Sequence, residues 1–358
     1  MRVKSLSINN LRNISSAQFE LDPCLNCFTG DNGAGKTSVL EALSVLSKGR
    51  SFRAGQISSL IGPEDSSFQV VSKIESQQGD PHQLGMQRDE NGWSARHNGE
   101  DVSQLSELTR LLPYVLLEPN SHVLVSGPPD GRRRYLDWGV FHVEHAFLTL
   151  WRRYNRVLKQ RNAALKQTNR MVVESLDSQF VQLGEQLHTY RESHISSLNI
   201  ILQEQLSLFC ETLDGITLSY RKGWTGDNLA EAIQVSGPRD IERGSTGPGP
   251  HKADLYFTLN GVPAKERLSR GEQKAMTAAL IMAQAKMICE SGETPVLMLD
   301  DLSSEFDGVH LGKVLGAGLE LGVQILLTGT ELVPAIQSCQ SQYTMFHVKQ
   351  GEVSTVHV

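Results

Sequence analysis

The chain has 358 residues, 39% hydrophobic and 21% charged, with a formal net charge of −6. Such a composition is that of a globular protein with material for two or three domains. No apolar run approaches the roughly 18–20 residues that span a bilayer, and Met1-Arg2-Val3-Lys4-Ser5 opens an alternating strand rather than an apolar leader, so a cytosolic protein without a membrane partner is expected.

The first hundred residues alternate like strands: Leu6/Ile8, then Ala17/Phe19/Leu21, then Phe68/Val70 beside Val71/Ile74. Asn91-Gly92 and Asn98-Gly99 mark hairpins, so an antiparallel β layer is expected here. Within this stretch Leu25-Asn26-Cys27-Phe28 reads as a short buried strand. It feeds Gly30-Asp31-Asn32-Gly33-Ala34-Gly35-Lys36-Thr37, a complete P-loop pattern. Glycines let such a loop aim backbone N–H groups at phosphates; Lys36 reaches the outer phosphates and the Thr37 hydroxyl is placed to ligate Mg²⁺. Leu40, Leu43 and Leu46 then give a helical stripe ending at Lys48-Gly49, which puts the phosphates on a helix N-terminus. A nucleoside triphosphate is the expected ligand. Cys24 and Cys27 form a C-x-x-C without a second pair to complete a zinc site; with five cysteines in all, neither a disulfide framework nor a metal site is expected.

Pro128-Pro129-Asp130-Gly131 is a strong breaker and is taken as a domain boundary. From Arg132 to Asp214 the pattern is helical. Leu176, Phe180, Leu183, Leu187, Tyr190 and His194 step by four and three, predicting a helix over about 174–211, roughly 55 Å long. Its expected partner is the basic helix before it, across a turn near Thr168-Asn169, and His194 on the seam is read as a packed side chain. Between Arg132 and Arg170 ten basic residues face two acidic ones, leaving +8 there and −14 on the rest of the chain. A basic surface on an acidic body suits phosphate-backbone binding. The candidates are Arg132, Arg133, Arg134, Arg152, Arg156 and Lys159. Two other readings stand beside it: a solvated helix face for Arg152, Arg156 and Lys159, and pairing of Arg132 to Arg134 with acidic neighbours at a domain joint.

Ser236-Gly237-Pro238 and the run from Gly244 to Pro250 read as loops, and Leu255 to Leu259 as a strand. Leu268-Ser269-Arg270-Gly271-Glu272-Gln273 precedes a strongly helical stretch, Lys274 to Met287; Ser-x-Gly at a helix N-terminus is again an anion site. Pro295 to Leu299 is a buried strand closed by Asp300 and Asp301. A P-loop sheet holds Mg²⁺ with such a carboxylate, so Asp300 is the expected metal partner of Thr37. Asp301 is placed to orient or deprotonate the attacking water, and the catalytic set is Lys36, Asp300 and Asp301.

P-loop, Leu-Ser-x-Gly signature, the strand ending in Asp300-Asp301 and the downstream Ser304-Glu305-Phe306-Asp307 together resemble an ABC-type ATPase head. About 230 residues separate P-loop and signature, as in SMC-like heads, where an insertion splits the motifs; transporter ATPases place them closer. Further stretches resemble the RecF family of bacterial recombination-mediator ATPases: Leu40-Glu41-Ala42, Gly49 to Arg53, Gly127-Pro128-Pro129 with Arg132 to Asp137, Gly249 to Leu255, and Leu299-Asp300-Asp301. The resemblance implies an α/β head with a mixed sheet and an antiparallel β layer. The expected divisions are 1–130, a helical arm at 131–214, and 215–358.

It also implies an ATP-dependent homodimer in which Ser269, Arg270, Gly271 and Glu272 contact, in trans, the nucleotide on the partner's P-loop. Double-stranded DNA near single-strand gaps, RecR and RecO are the implied partners, and slow, DNA-dependent ATP hydrolysis the implied activity. Three features depart from the family pattern. Glu272 stands where Gln is usual. Glu118-Pro119-Asn120-Ser121 replaces the usual lid sequence. Thr328 or Thr330 occupies the region of the switch histidine. An SMC-like DNA-bridging head is the alternative, but it calls for long coiled-coil arms that this sequence lacks. A small-molecule kinase needs no Ser-x-Gly signature.

Overall fold

The structure is a computed structural model that describes residues 1–53, 57–62, 65–302, 305–331, 336 and 342–356. Two compact units emerge. The first joins residues 1–121 to 278–358; the second comprises residues 122–277.

The first unit begins with β1 (Arg2–Leu11), β2 (Ile14–Glu20), β3 (Leu25–Thr29), α1 (Lys36–Lys48), β4 (Ser67–Glu75), β5 (Pro81–Asp89), β6 (Gly92–His97), β7 (Glu100–Asp101), α2 (Leu105–Leu111) and β8 (Tyr114–Leu117). β1 and β4 bury alternate residues, as a sheet with one wet face requires. The order β2-β1-β4-β5-β6-β7, antiparallel throughout, is the layer read from the sequence, with turns at Asn91-Gly92 and Asn98-Gly99.

The second unit contains α3 (Val123–Ser126), α4 (Pro129–Val143), α5 (Phe147–Lys166), α6 (Arg170–Phe209), β9 (Ile216–Arg221), α7 (Leu229–Arg243), β10 (Asp254–Leu259), β11 (Val262–Pro263), α8 (Ala264–Arg267) and the start of α9 (Arg270–Glu290). α5 packs on α6, with the Tyr154 and Phe180 rings 5.2 Å apart; Leu150 and Val157 of α5 and Leu183 and Leu187 of α6 are buried as well. Of the predicted seam, Phe180, Leu183, Leu187 and His194 lie in the buried stripe of α6, while Leu176 and Tyr190 are half-buried; the helix spans 40 residues, Arg170–Phe209, rather than the expected 174–211, and starts at an Asn169 cap just after Thr168 turns with φ 52°. Three arginines are sunk into this unit with carboxylate partners: Arg132 on Asp254, Arg161 on Asp177 and Asp240, and Arg191 on Asp137.

The first unit resumes with β12 (Val296–Leu299), α10 (Gly308–Glu320), β13 (Ile325–Gly329), β14 (Tyr343–Lys349) and β15 (Glu352–Val356). Its second sheet runs β15-β14-β3-β13-β12-β8, with β14, β3, β13, β12 and β8 parallel and β15 antiparallel. β12 and β13 are buried along their whole length, as parallel strands covered on both faces must be. One core unites this sheet, α1 and the antiparallel layer; Phe28 stacks on Phe346 at 4.7 Å, with Phe19 5.2 Å from Phe346.

Three expectations need correction. The divisions fall at 121/122 and 277/278, not at 130 and 214. Residues 215–277 belong with the helical arm because β9 and β10 pair beside α6, and α4 packs on β10. Pro128-Pro129 opens a helix instead of ending a domain: Pro129 is the first residue of α4, where a missing N–H costs nothing. Ser236-Gly237-Pro238 is no loop but lies inside α7. Cys27 is buried in β3, and among the described residues Cys24, Cys27, Cys210 and Cys289 take part in no disulfide. No described helix is long and apolar enough to cross a membrane.

Candidate functional site

β3 delivers the chain into the P-loop from the middle of the parallel sheet, between β13 and β14. Gly30 leaves the strand at φ 152°, where a Cβ would sit 2.1 Å from the Val348 carbonyl oxygen, and Gly35 enters α1 at φ 115° with no side-chain cap. The first turn of α1 thus offers its N–H groups to an anion. Lys36, only 7% exposed, curls back so that Nζ donates to the carbonyls of Gly30 (2.6 Å) and Asp31 (2.9 Å). Asp31, Asn32 and Gly33 form the exposed crest of the loop, while Ala34 is tucked beneath it.

Beside the loop, Asp300 follows the last residue of β12. Its Oδ1 accepts hydrogen bonds from the Thr37 hydroxyl at 2.9 Å and the Thr328 hydroxyl at 2.7 Å, and the Thr328 oxygen accepts the backbone N–H of Asp301 at 3.0 Å. The expected pair Thr37 and Asp300 is therefore brought together, and Thr328, at the end of β13, fixes both acidic residues at once. Burial raises the Asp300 pKa; the Thr328 and Thr37 bonds and the Arg53 charge act against it. Asp301 sits at φ 47°, a left-handed conformation rare outside glycine, held here by the Thr328 bond. Thr328→Val is expected to lower turnover about tenfold while leaving nucleotide affinity within about twofold, with Thr328→Ser restoring it. Steady-state phosphate release beside nucleotide titration checks this; equal turnover in Thr328→Val would deny Thr328 any positioning role.

The Thr37 and Asp300 oxygens, 2.9 Å apart, have the spacing of two neighbouring ligands about 2.1 Å from one octahedral cation. Both are hard oxygen donors, so the pair fits Mg²⁺. Across the parallel pairing, Glu118 follows Leu117, whose carbonyl accepts the Asp300 N–H at 2.9 Å. Desolvation, then the neighbouring Asp300 charge, pushes the Glu118 pKa up to about 7, while Arg53 opposes the rise.

Two tight turns brace the loop from outside. In the β1–β2 turn, Asn13 donates to the Gly33 carbonyl at 3.1 Å and accepts from the Ser38 hydroxyl at 3.1 Å. In the β14–β15 turn, the Gly351 N–H donates to Ala34 at 2.8 Å. Arg12 holds the fully buried Glu41 of α1 through two bonds, 2.8 and 3.2 Å. The sequence sets Thr328 or Thr330 in the switch-histidine region without assigning either a bond, and it offers no sign of Asn13 or Gly351 beyond the Leu11-Arg12-Asn13 break between two alternating runs.

In the second unit Ser269 immediately precedes α9, with Arg270 and Gly271 exposed beside it. The Ser269 N–H and hydroxyl both donate to Glu272 Oε2, at 2.9 and 2.7 Å, a capping box at the head of the helix. The basic candidates divide into two groups. Arg132, 8% exposed, is spent on Asp254 (2.7 and 3.0 Å) and the Gly127 carbonyl, and Arg133 holds the Ala253 carbonyl and Asp130. Both therefore pair with carboxylates, but inside the second unit rather than at a joint between units, and their side chains are engaged there. Arg134, Arg152, Arg156 and Lys159 are exposed. Ser304, of the downstream motif, lies outside the described residues.

A P-loop on a parallel sheet, an acidic strand end beside it, an antiparallel layer, and an inserted helical unit carrying Leu-Ser-x-Gly define an ABC-type ATPase head of the SMC-like kind. Residues 2–354 match the family model described as the RecF/RecN/SMC N terminal domain. The chain is 39% identical to the DNA replication and repair protein RecF of Xanthomonas axonopodis pv. citri, covering 99% of this chain and 98% of the relative. It is 38% identical to that of Thioalkalivibrio sulfidiphilus over 98% of both. This chain belongs to the RecF family. Among solved structures, the recombination mediator protein RecF with ATP, from the RecFOR pathway, superposes with a TM-score of 0.89 at 23% identity, covering 99% of this chain and 98% of that one. An Smc head bound to the C-terminal winged-helix domain of ScpA gives 0.61 at 14% identity, covering 100% and 98%.

Proposed function

We propose that this chain is an ATP-dependent DNA-binding protein of recombinational repair and replication restart, active as a homodimer closed by ATP. The observation that carries the reading is the meeting of Thr37, Asp300 and Thr328 beside an uncapped helix N-terminus. ATP lies with its phosphates on the N–H groups of the P-loop, and Lys36 turns from its carbonyl partners to the outer phosphates. Thr37 and Asp300 would hold Mg²⁺, which would supply neutralisation of phosphate charge. Asp301 orients and deprotonates the attacking water. Ser269 and Gly271 of a second copy close over the γ-phosphate, so the triphosphate binds two copies better than one and shifts the equilibrium toward the dimer. Slow hydrolysis, stimulated by DNA, removes that bridge.

Arg134, Arg152, Arg156 and Lys159 contact duplex phosphates, positioning the protein without reading sequence. The names of the relatives support a role in DNA replication and repair. Recognition of junctions between single- and double-stranded DNA, recombinase loading, the partners RecR and RecO, and a cytoplasmic location accompany this reading. The test is fluorescence anisotropy of a labelled duplex with Mg-ATP, Mg-ADP or no nucleotide. Binding is expected to tighten with ATP alone. Charge reversal at Arg152, Arg156 and Lys159 together is expected to weaken it and to flatten the log–log salt dependence by roughly 3. Equal binding in all three nucleotide states would sink the proposal.

A further inference from the structure

The signature of this chain is already occupied by one of its own side chains. Glu272 Oε2 takes the Ser269 N–H at 2.9 Å and the Ser269 hydroxyl at 2.7 Å, while Glu272 Oε1 takes the Thr212 hydroxyl at 2.8 Å. A serine hydroxyl has a single hydrogen, so one given to Glu272 is not available to a phosphate oxygen. The carboxylate also sits on the end of α9 that favours an anion. Thr212 belongs to the short turn Glu211–Leu213 that follows α6, so the tether joins the foot of the 40-residue arm helix to the signature.

From this geometry we infer that Glu272 is an internal competitor for the γ-phosphate at the signature, held in place by Thr212, and that it sets the ATP concentration at which two copies associate. The inference rests on the proposed ATP-closed dimer. To engage, the triphosphate on the partner's P-loop displaces a carboxylate from two donors and replaces it, since two anions cannot share them. The Ser269 bonds, then the Thr212 bond, hold the Glu272 carboxyl below the usual carboxylate range. It is therefore ionised at neutral pH, and the latch opens by a swing of the side chain, not by protonation. Release of Thr212 by a shift at the foot of α6 would lower the cost of that swing, which gives the arm a route to the nucleotide site of the other copy.

The test titrates Mg-ATP at fixed chain concentration and reads the dimer fraction by light scattering for wild type, Glu272→Gln, Thr212→Val and Ser269→Arg. Glutamine keeps an acceptor for the capping box and removes the charge, so the helix start survives. The ATP midpoint of dimerisation is expected to fall on the order of tenfold in Glu272→Gln. In Thr212→Val it is expected to fall about threefold, the effect of one lost hydrogen bond, with no change in the affinity of a single chain for a fluorescent ATP analogue. Ser269→Arg is expected to abolish the dimer. Wild-type dimerisation with unshifted midpoints in both Glu272→Gln and Thr212→Val overturns the competitor and leaves the ATP-closed dimer standing. Dimerisation confined to Glu272→Gln supports the competitor in its strongest form. Absence of ATP-driven association in every form removes the dimer reading, and the competitor with it.

Discussion

Replacing Asp301 with asparagine is expected to slow ATP hydrolysis by about 10²- to 10⁴-fold, the range associated with loss of a general base. The argument starts from the backbone. Asp301 stands two residues beyond the end of β12, its N–H is fixed on Thr328 at 3.0 Å, and its φ of 47° places the side chain from a conformation that few residues adopt without compensation. Asparagine tolerates the same left-handed backbone, so the substitution removes the basic oxygen and little else. Single-turnover phosphate release at saturating Mg-ATP reads the effect directly. Turnover within a few-fold of wild type would reduce Asp301 to a turn residue and move the search for the base to Glu118, which lies beside Asp300 and bears a pKa raised to about 7.

Arg161→Ala is expected to destabilise the second unit by about 3–5 kcal/mol, the usual loss when one partner of a buried ion pair is removed. Arg161 is 1% exposed. It bonds Asp177 at 2.7 Å, Asp240 at 3.1 Å and the Thr246 hydroxyl at 2.9 Å. Asp240 is also 1% exposed, so truncating the arginine strands a carboxylate in the interior. Three of the four tryptophans, Trp138, Trp151 and Trp224, lie within residues 122–277, so fluorescence-monitored urea unfolding reports mainly on this unit. A companion variant that replaces Arg161 and Asp240 together with apolar residues should recover much of the loss. A midpoint unchanged in Arg161→Ala would mean that the carboxylates find water instead.

Arg161 also illustrates what a sequence leaves open. It was counted within the basic stretch because a linear charge count cannot distinguish an arginine on a helix surface from one whose partner lies about eighty residues away. The same holds for Arg132 and Asp254, 122 positions apart. The P-loop, the strand before it and the acidic strand end were legible because each carries its pattern in a few consecutive residues: glycines where φ must be positive, an unbroken apolar run, then carboxylates. The arm was legible as a seam because four-three spacing is local too. Where it ended was not, since α6 and β9–β10 share a unit through contacts that no periodicity records. Thr328 was legible only as one of two threonines in the switch-histidine region, and its bonds were not, for the same reason. A threonine at the end of a strand says nothing until parallel pairing sets β13 beside β12 and puts its hydroxyl between Asp300 and Asp301.

The strand that feeds the P-loop has a history as well as a place. Residues 25–29 hydrogen-bond to residues 325–329 on one edge and 343–347 on the other. During synthesis, β3 and the loop after it leave the ribosome some 300 residues ahead of the partners that complete them. At roughly 5–20 residues per second that is a wait of about 15 seconds to a minute. For that interval an apolar strand has two open edges and no sheet to join, while residues 122–277 emerge with all the strands and helices they need. The nucleotide pocket is thus among the last parts of the molecule to be finished, although its motif is among the first to be translated. A chain stopped short of Tyr343 would carry every residue of the P-loop and still present β3 as a bare edge.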